Sequence, residues 1–295
     1  MNSVTKAYIQ LHICVFLWGF TAILGKVISI SALPLVWWRV LLTCVALIFT
    51  KNLFGQLKTI SRRNLLIYAG IGILVSIHWI FFYAAIKASN ASVGVLCMAF
   101  TPVCTTFIDP FFMKRRIRWY ELVLSLIAVL GMYFVVQEVD PKMIIGIGFG
   151  LFSAFMAATF SVLNKIYILD ADPIPITFIE LASGFVFISI VLPFYQYSAP
   201  EMQFMPVTMD WIYLIVLSVG CTAVPFVLSL YSLRYLSAFI TNLSINLEPV
   251  YGIVLAWLLL GEDKELTPGF YFGVLIILLS VFSYPFLKKL SKDPI

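Results

Sequence analysis

The chain has 295 residues, a length that could hold about two soluble domains. Residues of the AVILMFWYC set make up 62% of it and charged residues only 11%, against about 45–50% and about 25% in soluble globular proteins. Nineteen basic and 14 acidic side chains on 33.3 kDa cannot clothe a water-facing surface. Lipid solvates apolar side chains, so these numbers and a mean hydropathy of +1.03 describe an integral membrane protein.

In chain order, ten apolar runs stand between polar, Pro or Gly breaks: 8–28, 33–51, 65–87, 90–113, 118–137, 143–166, 174–195, 211–232, 237–260 and 267–287. Each approaches the roughly 20 residues that cross about 30 Å of hydrocarbon as a helix. Helices are required because an unpaired backbone is too costly in lipid, and a barrel would show alternating segments of about 10 residues. The first run is longer than a signal-peptide core, contains Trp18, Gly19 and Lys26, and lacks a small-residue cleavage site, so it reads as a mature helix. The longest connection, Gln196 to Asp210, reads as a surface loop. The five cysteines lie inside apolar runs without a CxxC pair, which supports neither a disulfide framework nor a thiolate zinc site.

The net charge of +5 is a topology signal. With the N-terminus inside, 14 of the 19 Lys and Arg residues fall in inner connections, chiefly 51–63, 114–118 and 288–292, and only Lys26, Lys87, Lys142 and Lys264 in outer ones. That asymmetry places both termini in the cytoplasm. It also excludes a nucleic-acid partner, since no basic module or aromatic platform stands outside the membrane.

Comparing the halves shows an internal repeat. A slide of 147 residues aligns Lys87-Ala88-Ser89-Asn90 with Arg234-Tyr235-Leu236-Ser237, and Thr101-Pro102 with Glu248-Pro249. A slide of 141 aligns Leu33-Pro34 to Arg39 with Ile174-Pro175 to Glu180. The reading is two five-helix units, 8–137 and 143–287. A unit with an odd number of spans emerges on the opposite side, so the second copy is inverted, the arrangement that underlies alternating access.

Residues 247–262 run from Leu247-Glu248-Pro249-Val250 to Ala256-Trp257-Leu258-Leu259-Leu260-Gly261-Glu262, followed by Leu266-Thr267 and an apolar tenth helix. With Phe16-Leu17-Trp18-Gly19-Phe20 and Arg39 of the second run, this pattern resembles the EamA domain of the drug/metabolite transporter superfamily over residues 9–137 and 146–286. The resemblance implies a ten-helix carrier with a central cavity that exports small metabolites such as amino acids from a bacterial inner membrane, needing no cofactor. One departure stands out: the first unit has Thr101-Pro102-Val103 through Lys114-Arg115-Arg116 where the family often shows Gly-Glu, so the carboxylate is not doubled.

Ionisable and polar groups at membrane depth are the functional candidates. Glu248 and its mate Thr101 fall near the midplane, as do His78 and Trp18. Pro102 and Pro249 loosen their helices about one turn upstream and are hinge candidates. Asn242 and Asn246 share the stretch that ends in Glu248. His78 and Trp79 form a candidate cavity wall, with Tyr83 and Tyr231 as further aromatic contacts. Arg39 can anchor a substrate carboxylate or form a structural ion pair, and Glu180 is its repeat mate. No second His or Cys stands at metal-ligand spacing. GxSxG, HExxH and Walker A motifs are absent. The expectation is an all-α integral membrane transporter, not an enzyme, working as a monomer or homodimer on a small-molecule substrate within membrane lipid. The alternatives are an intramembrane enzyme using His78 and Glu248, or a passive channel.

Overall fold

The computed structural model describes residues 2–137, 140–248, 251–252, 255, 258 and 268–291. Among these the regular structure is entirely helical. The helices are α1 (Ser3–Val27), α2 (Ala32–Ile48), the short α3 (Leu53–Leu57), α4 (Arg62–Ala88), α5 (Ala91–Cys97), α6 (Thr101–Met113), α7 (Trp119–Gln137), α8 (Ile144–Tyr167), α9 (Pro173–Ser198), α10 (Thr208–Ile215), α11 (Val224–Leu233), α12 (Ala238–Ile245) and α13 (Pro268–Ser291). Among the described residues, seven helical stretches are long and apolar enough to cross a membrane, and Ala32–Ile48 and Trp119–Gly131 are shorter apolar helices. The predicted run 237–260 is described only as far as Glu248 and at a few positions beyond, so its Pro249 and Gly261-Glu262 lie outside the described residues.

Helix starts follow from capping chemistry. Asn2, Ser61, Asn90, Asp172 and Ser237 each accept a backbone N–H of the following turn, which satisfies donors that would otherwise be orphaned. Three spans are not continuous α-helix. A 3-10 turn, Met98–Phe100, separates α5 from α6. The end of α12 tightens in the same way, with Asn246 N–H donating to Leu243 O and Leu247 N–H to Ser244 O, both at 3.1 Å. A π-helical stretch, Val216–Ala223, joins α10 to α11. Pro102, expected inside one continuous helix, instead sits in the first turn of α6. There its missing N–H leaves no helical bond unmade.

The outer surface carries large apolar side chains, among them Phe49, Phe111, Tyr197 and Phe286, as a lipid-solvated exterior requires. Small residues let the helices approach closely inside. A Cβ added to Gly131 would stand 2.8 Å from the Gly273 carbonyl of α13, and one on Gly150 2.6 Å from the Cys97 Cβ. Basic side chains close the helix ends, where carbonyls lack intrahelical partners. Lys165 Nζ donates to Leu233 O at 2.6 Å, Arg234 Nη2 to Ala171 O at 2.7 Å, and Lys87 Nζ to Ile28 O.

Below the cavity-lining part of α6, Arg115 Nη2 binds Asp109 Oδ2 at 2.6 Å and Glu121 Oε2 at 2.8 Å. Glu121 is 1% exposed, and removing Arg115 would leave it with only Arg118 Nη1, 3.8 Å from Oε1, and leave Asp109 without its cation. Arg115→Ala is therefore expected to destabilise the protein by about 2–3 kcal/mol, less than a fully buried broken pair, because the Arg115 side chain is 20% exposed and Arg118 stays beside Glu121. Thermal unfolding in detergent checks this, and an unchanged midpoint would show the cluster to be ornamental.

Candidate functional site

A cavity of about 90 Å³ lies among the helices, set in about 810 Å³ of empty space when its open mouth is counted. Its wall takes Trp18 and Thr21 from α1, Arg39 from α2, and His78, Trp79 and Phe82 from α4. Met98 and Thr101 come from the α5–α6 break, and Thr241, Asn242, Ile245 and Glu248 from α12 and the turn that follows. Along α8 the lining runs from Ala157 through Phe160 and Ser161 to Asn164, and along α11 from Phe226 to Leu233. Both stretches lead to helix C-termini, so the cavity lengthens toward the bundle end that carries the α8–α9 turn.

Arg39 is 1% exposed. Its Nε donates to Thr222 Oγ1 at 2.7 Å and its Nη1 to the Tyr83 hydroxyl at 2.8 Å. The guanidinium carbon lies 4.0 Å from the centre of the Trp79 ring, where the negative face of the indole offsets part of the charge. The π-helical stretch makes this seat. Thr222 Oγ1 donates to Leu217 O, five residues back, at 2.6 Å, while Ser218 O turns outward to accept from Thr43 Oγ1 at 3.0 Å. No carboxylate among the described residues lies within 4.0 Å of Arg39.

Glu248 faces the same space. It is 5% exposed and lines the cavity, with no hydrogen bond or ion pair from its carboxylate to the described residues. Arg39 and Glu248 thus share one cavity, and no ion pair closes between them among the described residues. Buried charges are otherwise paired within the protein. His78 is held from behind: Ser153 Oγ donates to His78 O at 2.9 Å, and His78 Nδ1 lies 3.0 Å from Ser153 O. This reciprocal pair suits an Nδ1–H tautomer and leaves Nε2 as the acceptor. Asn242 Nδ2 donates to Thr105 Oγ1 at 2.8 Å, tying α12 to α6.

Of the residues singled out from sequence, Trp18, Arg39, His78, Trp79, Thr101, Asn242 and Glu248 line this cavity. Tyr83 stands behind the wall and holds Arg39. Glu180 is fully buried outside the lining and accepts from Asn164 Nδ2 at 3.3 Å. Asn246 is buried, lies off the wall, and neither polar atom of its side chain has a partner among the described residues. Tyr231 also lies off the wall: its hydroxyl donates to the Asp172 carboxylate at 3.2 Å, bracing the start of α9. A tyrosine in an apolar run carries no mark of which helix face its hydroxyl leaves by. The sequence does not single out Ser161 and Asn164. Their signal is a small and polar stripe at helical spacing, Gly150, Ser153, Ala157, Ser161 and Asn164, along one face of α8.

A helical bundle with an apolar exterior, and with ionisable side chains gathered around an internal cavity, defines a multi-pass membrane protein. The chain belongs to the EamA-like transporter family, whose sequence profile matches it twice, over residues 5–137 and 144–284. It is 22% identical over 269 residues to the uncharacterized transporter YxxF of Bacillus subtilis (strain 168), covering 89% of this chain and 84% of that protein. To the uncharacterized transporter sll1164 of Synechocystis sp. it is 26% identical over 224 residues, covering 72% of this chain and 62% of that protein. A solved crystal structure shares the fold with a TM-score of 0.72 at 14% identity, over 98% of this chain and 99% of that one. The protein is a membrane transporter.

Proposed function

We propose that the protein is a secondary carrier that exports a small organic metabolite, such as an amino acid or a related compound, across a bacterial inner membrane. The two units, 8–137 and 143–287, act as inverted five-helix repeats that rock about a central site. One observation carries the reading: Arg39 and Glu248 line one cavity, and neither has an ionic partner among the described residues. A zwitterion supplies both missing partners, its carboxylate to the guanidinium and its ammonium to the carboxylate. Trp18 and Trp79 offer flat apolar walls for the rest of the solute. The tight turns at Met98–Phe100 and after Ile245 support the repeat. They stand at matched places in the sequence, just before Thr101-Pro102 and Glu248-Pro249, as a repeated hinge requires. No hydrogen bond joins His78 to Glu248 among the described residues, so an enzyme reading finds no assembled acid–base pair.

Counterflow of labelled amino acids in proteoliposomes tests this. A carrier shows saturable uptake stimulated by unlabelled solute inside, and uptake indifferent to internal solute would sink the reading. Glu248→Gln keeps the side chain's shape and removes the charge. It is expected to slow counterflow about 10-fold or more, the worth of one charged hydrogen bond, with folded protein recovered in normal yield. Wild-type flux in that variant would remove Glu248 from the solute site.

A further inference from the structure

α9 carries Glu180 into the contact with α4 and α8, where the side chain is fully buried. Asn164 on α8 donates Nδ2 to Glu180 Oε2 at 3.3 Å. The remaining oxygen of each group, Glu180 Oε1 and Asn164 Oδ1, is buried and has no hydrogen-bond partner among the described residues. As long as the carboxyl is ionised this cannot be repaired between them, because a carboxylate and an amide oxygen are both acceptors. One proton on Oε1 repairs both faults together. A carboxylic acid and a primary amide face each other with two antiparallel hydrogen bonds, amide N–H to Oε2 and Oε1–H to Oδ1.

The groups on the neighbouring helices are engaged elsewhere. On α4, the Tyr68 hydroxyl donates to Tyr167 O and His78 is bound to Ser153. On α2, Arg39 is held by Thr222 and Tyr83. Lys165 of α8 and Arg234 beyond α11 cap backbone carbonyls, and Tyr231 of α11 binds Asp172. α3 carries no titratable side chain. No cation among the described residues comes within 4.0 Å of Glu180, so a single amide N–H is the only group among them that supports an ionised form. Asn164 is also part of the cavity wall.

We propose that Glu180 is a proton-binding site of the transporter, its proton held in a two-bond acid–amide pair with Asn164 and exchanged with the cavity through that amide. On release, the Oε1–H bond breaks, its electron pair stays on the carboxylate, and the proton passes to a water molecule in the cavity. Asn164 Oδ1 then loses its donor and must take one from the solute space that Asn164 already borders, while Nδ2 stays on the carboxylate. Proton occupancy and the shape of the solute site are linked in this way. This coupling rests on the carrier reading above; the proton site does not.

Infrared difference spectra between neutral and alkaline pH, on purified protein in lipid vesicles without solute, test the site. The expected result is a protonated-carboxyl band at neutral pH that disappears in Glu180→Gln, persists in Glu248→Gln and shifts in frequency in Asn164→Leu. Glutamine at 180 reproduces the two-bond pair and should fold normally. Identical spectra for the wild type and Glu180→Gln would overturn the proposal. In proteoliposomes, Glu180→Gln is expected to keep amino-acid counterflow at equal pH on both sides and to lose the acceleration a pH gradient gives the wild type. A Glu180→Gln protein still accelerated to the same degree would overturn the coupling. A wild type that moves no amino acid would overturn the solute class, and the infrared result would still decide the proton site.

Discussion

Arg39→Ala is expected to lower amino-acid counterflow about 100-fold while the protein still purifies as a folded species. The magnitude follows from two charge-assisted hydrogen bonds to a solute carboxylate, together worth about 3 kcal/mol. Folding should survive because the partners of Arg39 are hydroxyls, Thr222 and Tyr83. Water entering the adjoining cavity can replace the lost donor to each. Arg39→Lys separates charge from geometry. A lysine keeps the positive charge but cannot hold Thr222 and Tyr83, stack on Trp79 and still present two parallel donors, so it should recover only a minor part of the flux. Counterflow rates set against unfolding temperatures check both variants. Near wild-type flux in the alanine variant would make Arg39 a structural residue, one that fastens α2 to the π-helical stretch.

Much of the fold can be read from hydropathy because the lipid imposes it. The run 65–87 lies within α4, Arg62–Ala88, and 174–195 within α9, Pro173–Ser198. In both cases a polar cap, Ser61 or Asp172, sets the start more sharply than apolar content does. What could not be read depends on partners distant in sequence. The 3-10 turn at Met98–Phe100 is as apolar as the helices on either side. The π-helical stretch exists where Thr222 bends back to Leu217 and accepts from Arg39, 183 residues away. The same distinction holds for the site. Arg39, His78 and Glu248 stand out because charge is rare at depth, and the structure sets them around one cavity. Tyr231 stands out only as an aromatic, and its hydroxyl turns toward the start of α9 instead. Asn164 lies two residues from the end of its run, where an isolated amide reads as interfacial until the stripe along α8 is traced.

The second large effect is on folding, and it contrasts two glycines on one helix. A Cβ on Gly72 would run into the backbone carbonyl of Glu180 and the Ser183 hydroxyl, with the carbonyl carbon at 2.5 Å; a Cβ on Gly70 meets nothing within 4 Å. Backbone cannot rotate away as a side chain can, so Gly72→Ala must push α4 and α9 apart. That separation also breaks the bridge in which Ser183 Oγ reaches the Ala69 carbonyl of α4 at 3.0 Å. Overpacking of this kind costs about 3 kcal/mol or more, a large share of the stability of a folded domain. Gly70→Ala adds the same methyl group where there is room and should be neutral, or stabilising by up to about 1 kcal/mol through helix propensity. Unfolding temperature and monodispersity in detergent separate the two variants, and equal behaviour would mean that α4 and α9 are not in close contact. The expected asymmetry bears on the proton site as well. The approach that leaves no space for a methyl group at Gly72 also keeps water from the α4 side of Glu180, so any variant of Gly72 that folds should let water reach Glu180 and weaken the pH dependence of transport.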